Sequence, residues 1–409
     1  MKGTVRDIDV EAKTILLRAD FNVPLDKGGQ ITSDTRIGAT APTIKHLLER
    51  GARIILCSHL GRPGGRHVDQ LSLRAVAQRL SKLLNRPVQM AKDCIGPEVR
   101  EAASNLKSRE ILMLENLRFH AEEETNDDQF ARALAGLADI YVNDAFGACH
   151  RAHASIVGIP RHIPAVAGLL LEKELEALGS LLENPEPPFG GLFGGAKVSD
   201  KVAALDNIMN KLDFLLIGGA MAALFLKARG YEIGQSEVEL DQLDTASELM
   251  TRVAGNGTKL ILPVDVVVGK DTEAGDDMKT VSVENITPIM KIVDIGIQTV
   301  TAFQEKLRQC HTVFWNGPMG IYEIPLFATG TKCIANSVAD LEATTIVAGG
   351  STAQIADDLK LSGRMGFVST GGGASLEFLS GATLPGVEIL PGTELLSVAP
   401  VVSAVGART

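Results

Sequence analysis

GLFGGAKVSDKVAALDNIMNKL (191–212) runs from a short apolar stretch through a glycine pair into a segment whose Val202, Leu205, Ile208, Met209 and Leu212 form one apolar stripe. The spacing predicts strand, loop and helix, with Val198 or Ser199 opening the helix. The same order recurs along the chain. TILLRADFN (14–22), RIILCSHLGR (53–62), ILMLENLRF (111–119) and IYVNDAFGACHRAH (140–153) are further buried-looking runs, as are FLLIGGAMA (214–222), VFWNGPMG (313–320), IVAGGST (346–352) and FVSTGGGAS (367–375). Apolar runs alternating with helical patterns predict an α/β fold with parallel sheets covered by helices.

The two halves of the chain differ in how these runs end. Up to about residue 155 the runs end in Arg and His; from about 190 onward they end in paired glycines. Ligands of open α/β sheets sit outside the carboxyl ends of the strands, so these ends are where chemistry is read. Cationic ends suit an anionic metabolite, and glycine ends let backbone N–H groups approach a nucleotide phosphate.

A chain of 409 residues exceeds one ordinary core, and two domains are expected. Aromatic residues make up only 4%, so aliphatic side chains must fill the cores. The net charge of −10 argues against a general nucleic-acid or membrane-surface binder. The five cysteines form no CxxC pair, which fits reduced thiols and a cytoplasmic location. No apolar stretch reaches the roughly 18 residues of a membrane span, and the N-terminus lacks a signal-peptide pattern.

Helix signals agree with this organisation. Ser33 or Asp34 can cap a helix ending near Arg50, Ser72 a second and Asn126 a third. A long helical pattern from about Ala165 to Glu183 is followed by Pro185, Pro187 and Pro188, which cannot continue it. The expected organisation is therefore a first domain over 1–164, a linking helix over 165–184 and a second domain over 185–389, with 390–409 packing back onto the first.

Arg36, His59, Arg62, Arg118, His150 and Arg151 fall just after apolar runs or at helix starts, where guanidinium forks match phosphate and carboxylate oxygens. Asp20 and Asn22 read either as turn formers or as groups that orient a hydroxylated anion. His150 and His153 lack the carboxylate or Cys spacing of a metal site, and Cys149 reads as a small space-filling residue. Lys197 and Lys201, four apart, are expected on one face of the following helix, where like charges repel unless an anion lies between them. Neither a Walker A loop nor a GxGxxG fingerprint occurs.

LLRADFNVPL, SDTRI, SHLGRP, LENLRF, DAFGACHRAHAS, PAVAGLLLEKELEAL, GGAKVSDK, LLIGGAMA, FWNGPMGIYE and STGGGASLEFL occur in this order, and together the chain resembles the phosphoglycerate kinase family over nearly its whole length. The resemblance implies two Rossmann-like α/β domains joined by a long interdomain helix, with hinge bending between them. It implies reversible phosphoryl transfer between 1,3-bisphosphoglycerate and ADP, giving 3-phosphoglycerate and ATP with Mg²⁺, a step of glycolysis and gluconeogenesis. A monomer without nucleic-acid or membrane partners is expected. The alternative is a catalytically silent nucleotide-binding or scaffolding homologue.

Carried over by motif, the resemblance places phosphoglycerate against Asp20, Phe21, Asn22, Arg36, His59, Leu60, Gly61, Arg62, Arg118 and Arg151. It places the nucleotide against Gly195, Lys197, Lys201, Gly218, Gly219, Asn316, Pro318, Glu323, Gly349, Gly350, Ser351 and Thr352. Arg36, Lys197, Gly350 and Gly373 match positions that stabilise the moving phosphoryl group. One position departs from the family pattern: Ser351 stands where the family commonly has an Asp that approaches the magnesium, so the metal ligand is left unassigned.

Overall fold

The computed structural model describes residues 2–269 and 278–396. The chain divides into two compact units, Glu174–Ala382 and the residues on either side of that segment.

In the first unit β1 (Thr14–Ala19), β2 (Arg53–Cys57), β3 (Gln89–Met90), β4 (Ile111–Met113), β5 (Ile140–Asp144) and β6 (Ala165–Ala167) form one sheet in the order β3-β4-β2-β1-β5-β6. Every pairing in it is parallel. All six residues of central β1 are buried, the pattern of a strand covered on both faces. Helices α1 (Thr35–Glu49) and α2 (Arg74–Leu84) contribute Ile44, Leu47, Val76 and Leu80 to a core with Ile15, Leu17, Ile54 and Leu56. The chain's far end returns to this unit: Lys2 bridges Gly392, Gly3 N donates to Pro391 O at 3.0 Å, and Asn143 Nδ2 donates to Gly386 O at 3.2 Å. The rest of the expected returning tail, 397–409, lies outside the described residues.

The linking helix starts later than the sequence pattern suggests. Ala165–Ala167 form β6, and α3 spans Leu169–Glu183. The Asp144 carboxylate at the end of β5 accepts N–H bonds from Leu170 at 2.8 Å and Leu171 at 3.1 Å, which starts the helix there. Gly168 makes this cap possible, since a Cβ on it would clash with the Asp144 carboxylate at 2.1 Å from Oδ1. The division between the units falls inside α3, between Lys173 and Glu174. A second boundary also moves: Asp127, not Asn126, caps Asp128–Ala135, its carboxylate accepting from Phe130 N at 2.8 Å, while Asn126 takes a left-handed φ of 56°.

In the second unit β7 (Phe189–Phe193), β8 (Phe214–Ile217), β9 (Lys259–Ile261), β13 (Thr312–Asn316), β14 (Thr344–Ala348) and β15 (Phe367–Val368) form a parallel sheet in the order β15-β14-β13-β7-β8-β9. Around it pack α4 (Val202–Ile208), α5 (Gly219–Ala228), α6 (Thr329–Ala339), α7 (Gly350–Asp358) and α8 (Gly373–Leu379). The core contains Trp315, whose Nε1–H donates to Gly317 O at 2.8 Å. A small antiparallel sheet, β10 (Asp265–Gly269) between β11 (Lys279–Ser282) and β12 (Lys291–Ile295), adds an element the run pattern did not predict. Among the described residues no helix is long and apolar enough to cross a membrane.

Candidate active site

In the first unit the predicted anion-binding residues gather at the carboxyl ends of β1, β2 and β4. Asp20 follows β1 and is buried; Arg36, in the first turn of α1, meets it with Nη1 2.5 Å from Oδ2. Burial alone would raise the Asp20 pKa, but the groups around it, Arg36 foremost, outweigh it and hold the carboxyl at about 2. Asn22 Oδ1 accepts from Gly61 N at 2.9 Å, which ties the loop after β1 to the loop after β2. Arg118, also buried, donates through Nη1 to Gly61 O at 2.8 Å, and its Nε lies 3.2 Å from Glu124 without hydrogen-bond alignment. Arg62 is exposed and Arg151 is half-buried, close enough to Arg118 and His153 to act on both electrostatically.

Phe21 and Leu60 differ from the others. Their side chains lie in the hydrophobic core, so only their main-chain groups are available to a ligand. His153 is also no cation: burial first, then Arg118 and Arg18, pushes its pKa down to about 4.

In the second unit the glycine turns after β7, β8 and β13 are laced together by main-chain bonds. Gly194 N donates to Asn316 O at 2.9 Å, Gly195 N to Pro318 O at 2.8 Å, Gly219 N to Met319 O at 2.9 Å and Met221 N to Gly195 O at 3.0 Å. A cavity of about 330 Å³ opens beside them, its lining including Gly195, Gly219, Pro318, Leu226, Glu323 and Ser351. Its walls are mostly small or aliphatic, which suits a flat apolar group carrying polar attachments.

The two lysines of GGAKVSDK do not share a helix face. The helix begins only at Val202, so Lys197 lies in the irregular loop and is exposed, while Lys201 is buried with Nζ 2.5 Å from Gly194 O. Glu239 explains the delay: its carboxylate accepts from Val198 N at 2.7 Å, Ser199 N at 3.1 Å and Ser199 Oγ at 2.6 Å, holding the segment open. Burial pushes the Lys201 ammonium down to about 8.

Two further predicted nucleotide contacts are occupied by the fold itself. Asn316 Nδ2 donates to Ala348 O at 2.8 Å, and the buried Thr352 accepts from Gly317 N at 2.7 Å, so both brace turns around the cavity. Ser351 is exposed in the first turn of α7, and Gly350 opens that helix as Gly373 opens α8. Glu174, which sequence reasoning passed over, supports the last glycine turn: it accepts from Ser369 Oγ and Thr370 N at 2.7 Å each and from Thr370 Oγ1 at 2.8 Å. The available signal was an acidic residue within the apolar pattern LLLEKELEAL.

The family model for phosphoglycerate kinase matches residues 5–382. Phosphoglycerate kinase of Pelotomaculum thermopropionicum is 50% identical over 389 residues, 95% of this chain and 99% of the relative. That of Dictyoglomus turgidum is 52% identical over 390 residues, covering 94% and 97%. Among solved structures, phosphoglycerate kinase from Coxiella burnetii superposes with a TM-score of 0.82 at 38% identity, covering 95% of this chain and 98% of that one. Phosphoglycerate Kinase from Pyrococcus horikoshii does so with a TM-score of 0.84 at 32% identity, covering 97% and 99%. With its run-end cations on one unit and its glycine turns on the other, the chain belongs to the phosphoglycerate kinase family.

Proposed function

We propose that the protein transfers a phosphoryl group reversibly between 1,3-bisphosphoglycerate and ADP, giving 3-phosphoglycerate and ATP, as a cytoplasmic monomer without nucleic-acid or membrane partners. The observation that carries this reading is the cation cluster around the ionised Asp20 at the ends of β1, β2 and β4. A small polyanion with a hydroxyl matches it: arginines take phosphate and carboxylate oxygens, and Asp20 and Asn22 orient the hydroxyl. Nothing in the fold or the relatives favours a silent homologue.

The phosphoryl acceptor in this reading is a carboxylate, ionised at neutral pH, so no general base is required. Catalysis then reduces to holding two anions in line and spreading positive charge over the transferring group. Arg36 and Lys197 supply that charge, with N–H groups at the starts of α7 and α8 assisting. Arg62, Arg118, Arg151 and the main chain of Phe21, Leu60 and Gly61 hold the phosphoglycerate. Lys201 and Glu323 take the phosphates and the ribose of the nucleotide, whose base enters the cavity lined by Gly219 and Pro318. A coupled assay supplying 3-phosphoglycerate and Mg-ATP tests the proposal. Turnover supports it, and a folded protein without turnover overturns it.

The start of α7 offers a magnesium ion one neutral Ser351 hydroxyl and no carboxylate, which does not make a protein-held site for a hard dication. We assign the ion to the nucleotide's own oxygens. Ser351→Asp is therefore expected to lower the magnesium concentration for half-maximal rate by up to roughly fivefold, the scale of one exposed charge contact. An unchanged magnesium titration curve would refute the assignment.

Lys201 gives the reaction an alkaline limit. With its pKa depressed to about 8 by burial, the ammonium is present below that pH and lost above it. The kcat/KM for ATP is expected to fall about tenfold per pH unit above pH 8, and Lys201→Arg, which stays charged, to flatten the fall. A parallel profile in both proteins would assign the limit to another group.

A further inference from the structure

Arg18 is a charged residue inside an apolar strand. It is the fifth residue of β1 and 1% exposed, yet it is not among the anion-binding residues the run-end pattern selects. A buried guanidinium persists only where its donors are satisfied. Nε donates to Ser155 Oγ at 2.9 Å, Nη1 donates to Ala19 O, and Nη2 lies 3.1 Å from His59 Nδ1. Ser155 passes the charge on: its hydroxyl donates to Glu123 Oε1 at 2.6 Å and its N–H to Oε2 at 2.9 Å, and Glu123 is fully buried.

These bonds fix a proton. A guanidinium carries donors and no acceptor, so His59 Nδ1 must offer its lone pair to Nη2, and the ring hydrogen resides on Nε2. Among the described residues nothing accepts from His59 Nε2, and that atom is not one of the fully buried polar atoms lacking a partner. It therefore reaches solvent. Arg18 and Asp20 from β1 and its end, Arg36 from α1 and Arg118 from the turn after β4 all act on the ring. Burial first, then the three arginines, holds its pKa well below 6.5 against the single opposing charge of Asp20.

We propose that Arg18, braced by Ser155 and Glu123, is a positioning residue that holds His59 as a neutral imidazole with its Nε2–H directed at the bound phosphoglycerate. His59 thus adds a directed hydrogen bond to the cluster rather than a further positive charge. Its contribution stays constant across neutral pH, where an ordinary histidine would titrate. This inference rests on the proposed substrate, but its central measurement does not.

Side-chain ¹H–¹⁵N correlation spectra of the full chain, with His59 assigned through His59→Gln, read the tautomer directly. The expected wild-type spectrum shows a bare Nδ1 and a protonated Nε2 from pH 6 to 8, and 3-phosphoglycerate shifts the Nε2–H resonance. An imidazolium, an Nδ1–H tautomer, or no shift at saturating 3-phosphoglycerate overturns the proposal. Arg18→Lys keeps a charge but loses the fork, and Arg18→Met with Glu123→Gln removes both buried charges together. In each, His59 is expected to gain Nδ1–H tautomer or to titrate between pH 6 and 8. The KM for 3-phosphoglycerate should then rise about tenfold and become pH-dependent, with kcat changed less, as for one lost hydrogen bond. A wild-type ring state retained in both folded variants also overturns it. Absent turnover in wild type, with the tautomer and the shift as described, would instead count against the kinase reading alone.

Discussion

Arg36→Ala is expected to lower kcat for 3-phosphoglycerate phosphorylation by about a thousandfold while the protein stays folded. Arginines that meet a transferring phosphoryl group are worth about 10³ to 10⁵ in rate, and the lower figure applies under the proposed mechanism, in which other groups share the load. The structural cost is smaller, because the Arg36 side chain is 26% exposed and its ion-pair partner, Asp20, retains Arg18 and the Asn22 N–H. Asp20 does provide a control on folding. Its folded pKa of about 2 lies below the ordinary 3.8, so its contribution to stability is complete above about pH 4 and is lost as pH falls through 2. Without Arg36 that acid limb should move to higher pH, which equilibrium unfolding at several pH values detects. Arg36→Lys, with charge but no fork, should fall between wild type and alanine. A folded Arg36→Ala variant that loses less than about tenfold in kcat would remove Arg36 from the reaction.

Gly219→Ala should be a strongly damaging single-methyl change in the second unit. Gly219 has φ +63°, and an added Cβ would sit 2.5 Å from Gly195 N and 2.7 Å from Pro318 O, both main-chain atoms of the laced glycine turns. A left-handed alanine alone costs about 1–2 kcal/mol, and neither neighbour is a flexible side chain that could swing away. The expected result is a loss of about 3 kcal/mol or more in urea unfolding and a rise of about a hundredfold in the KM for ATP, from displacement of the cavity wall. Gly363→Ala is the matched control, since that glycine has no atom within 4 Å of the added carbon and no positive φ. If the two variants behave alike, the close approach of the three turns does not shape the nucleotide site.

Much of the architecture was legible in the order of residues alone. Strands such as β1 and β13 are buried on both faces, so each appears as an unbroken apolar run, and the loop at its carboxyl end is marked by cations in one half and glycines in the other. Reading those ends located Asp20, Arg36 and Arg118 on one unit and the glycine turns on the other. The pair Lys197 and Lys201 shows the limit of that reading. A spacing of four places two side chains on one face only where the backbone is helical, and Glu239, about forty residues away in sequence, keeps it from being helical there. The start of α3 is similar, because Asp144 caps it from the end of a different element, the strand β5.

The type of most elements, their order of appearance and the residues at each run-end followed from local pattern, since periodicity and turn residues act over a few positions. The proton on His59, the buried chain from Arg18 through Ser155 to Glu123, and the bracing of glycine turns by Glu174, Asn316 and Thr352 came only with folding. Arg18 and Ser155 stand 137 residues apart. Hydrogen bonds between buried polar groups depend on sub-ångström placement within a packed core, and no spacing along the chain encodes that placement.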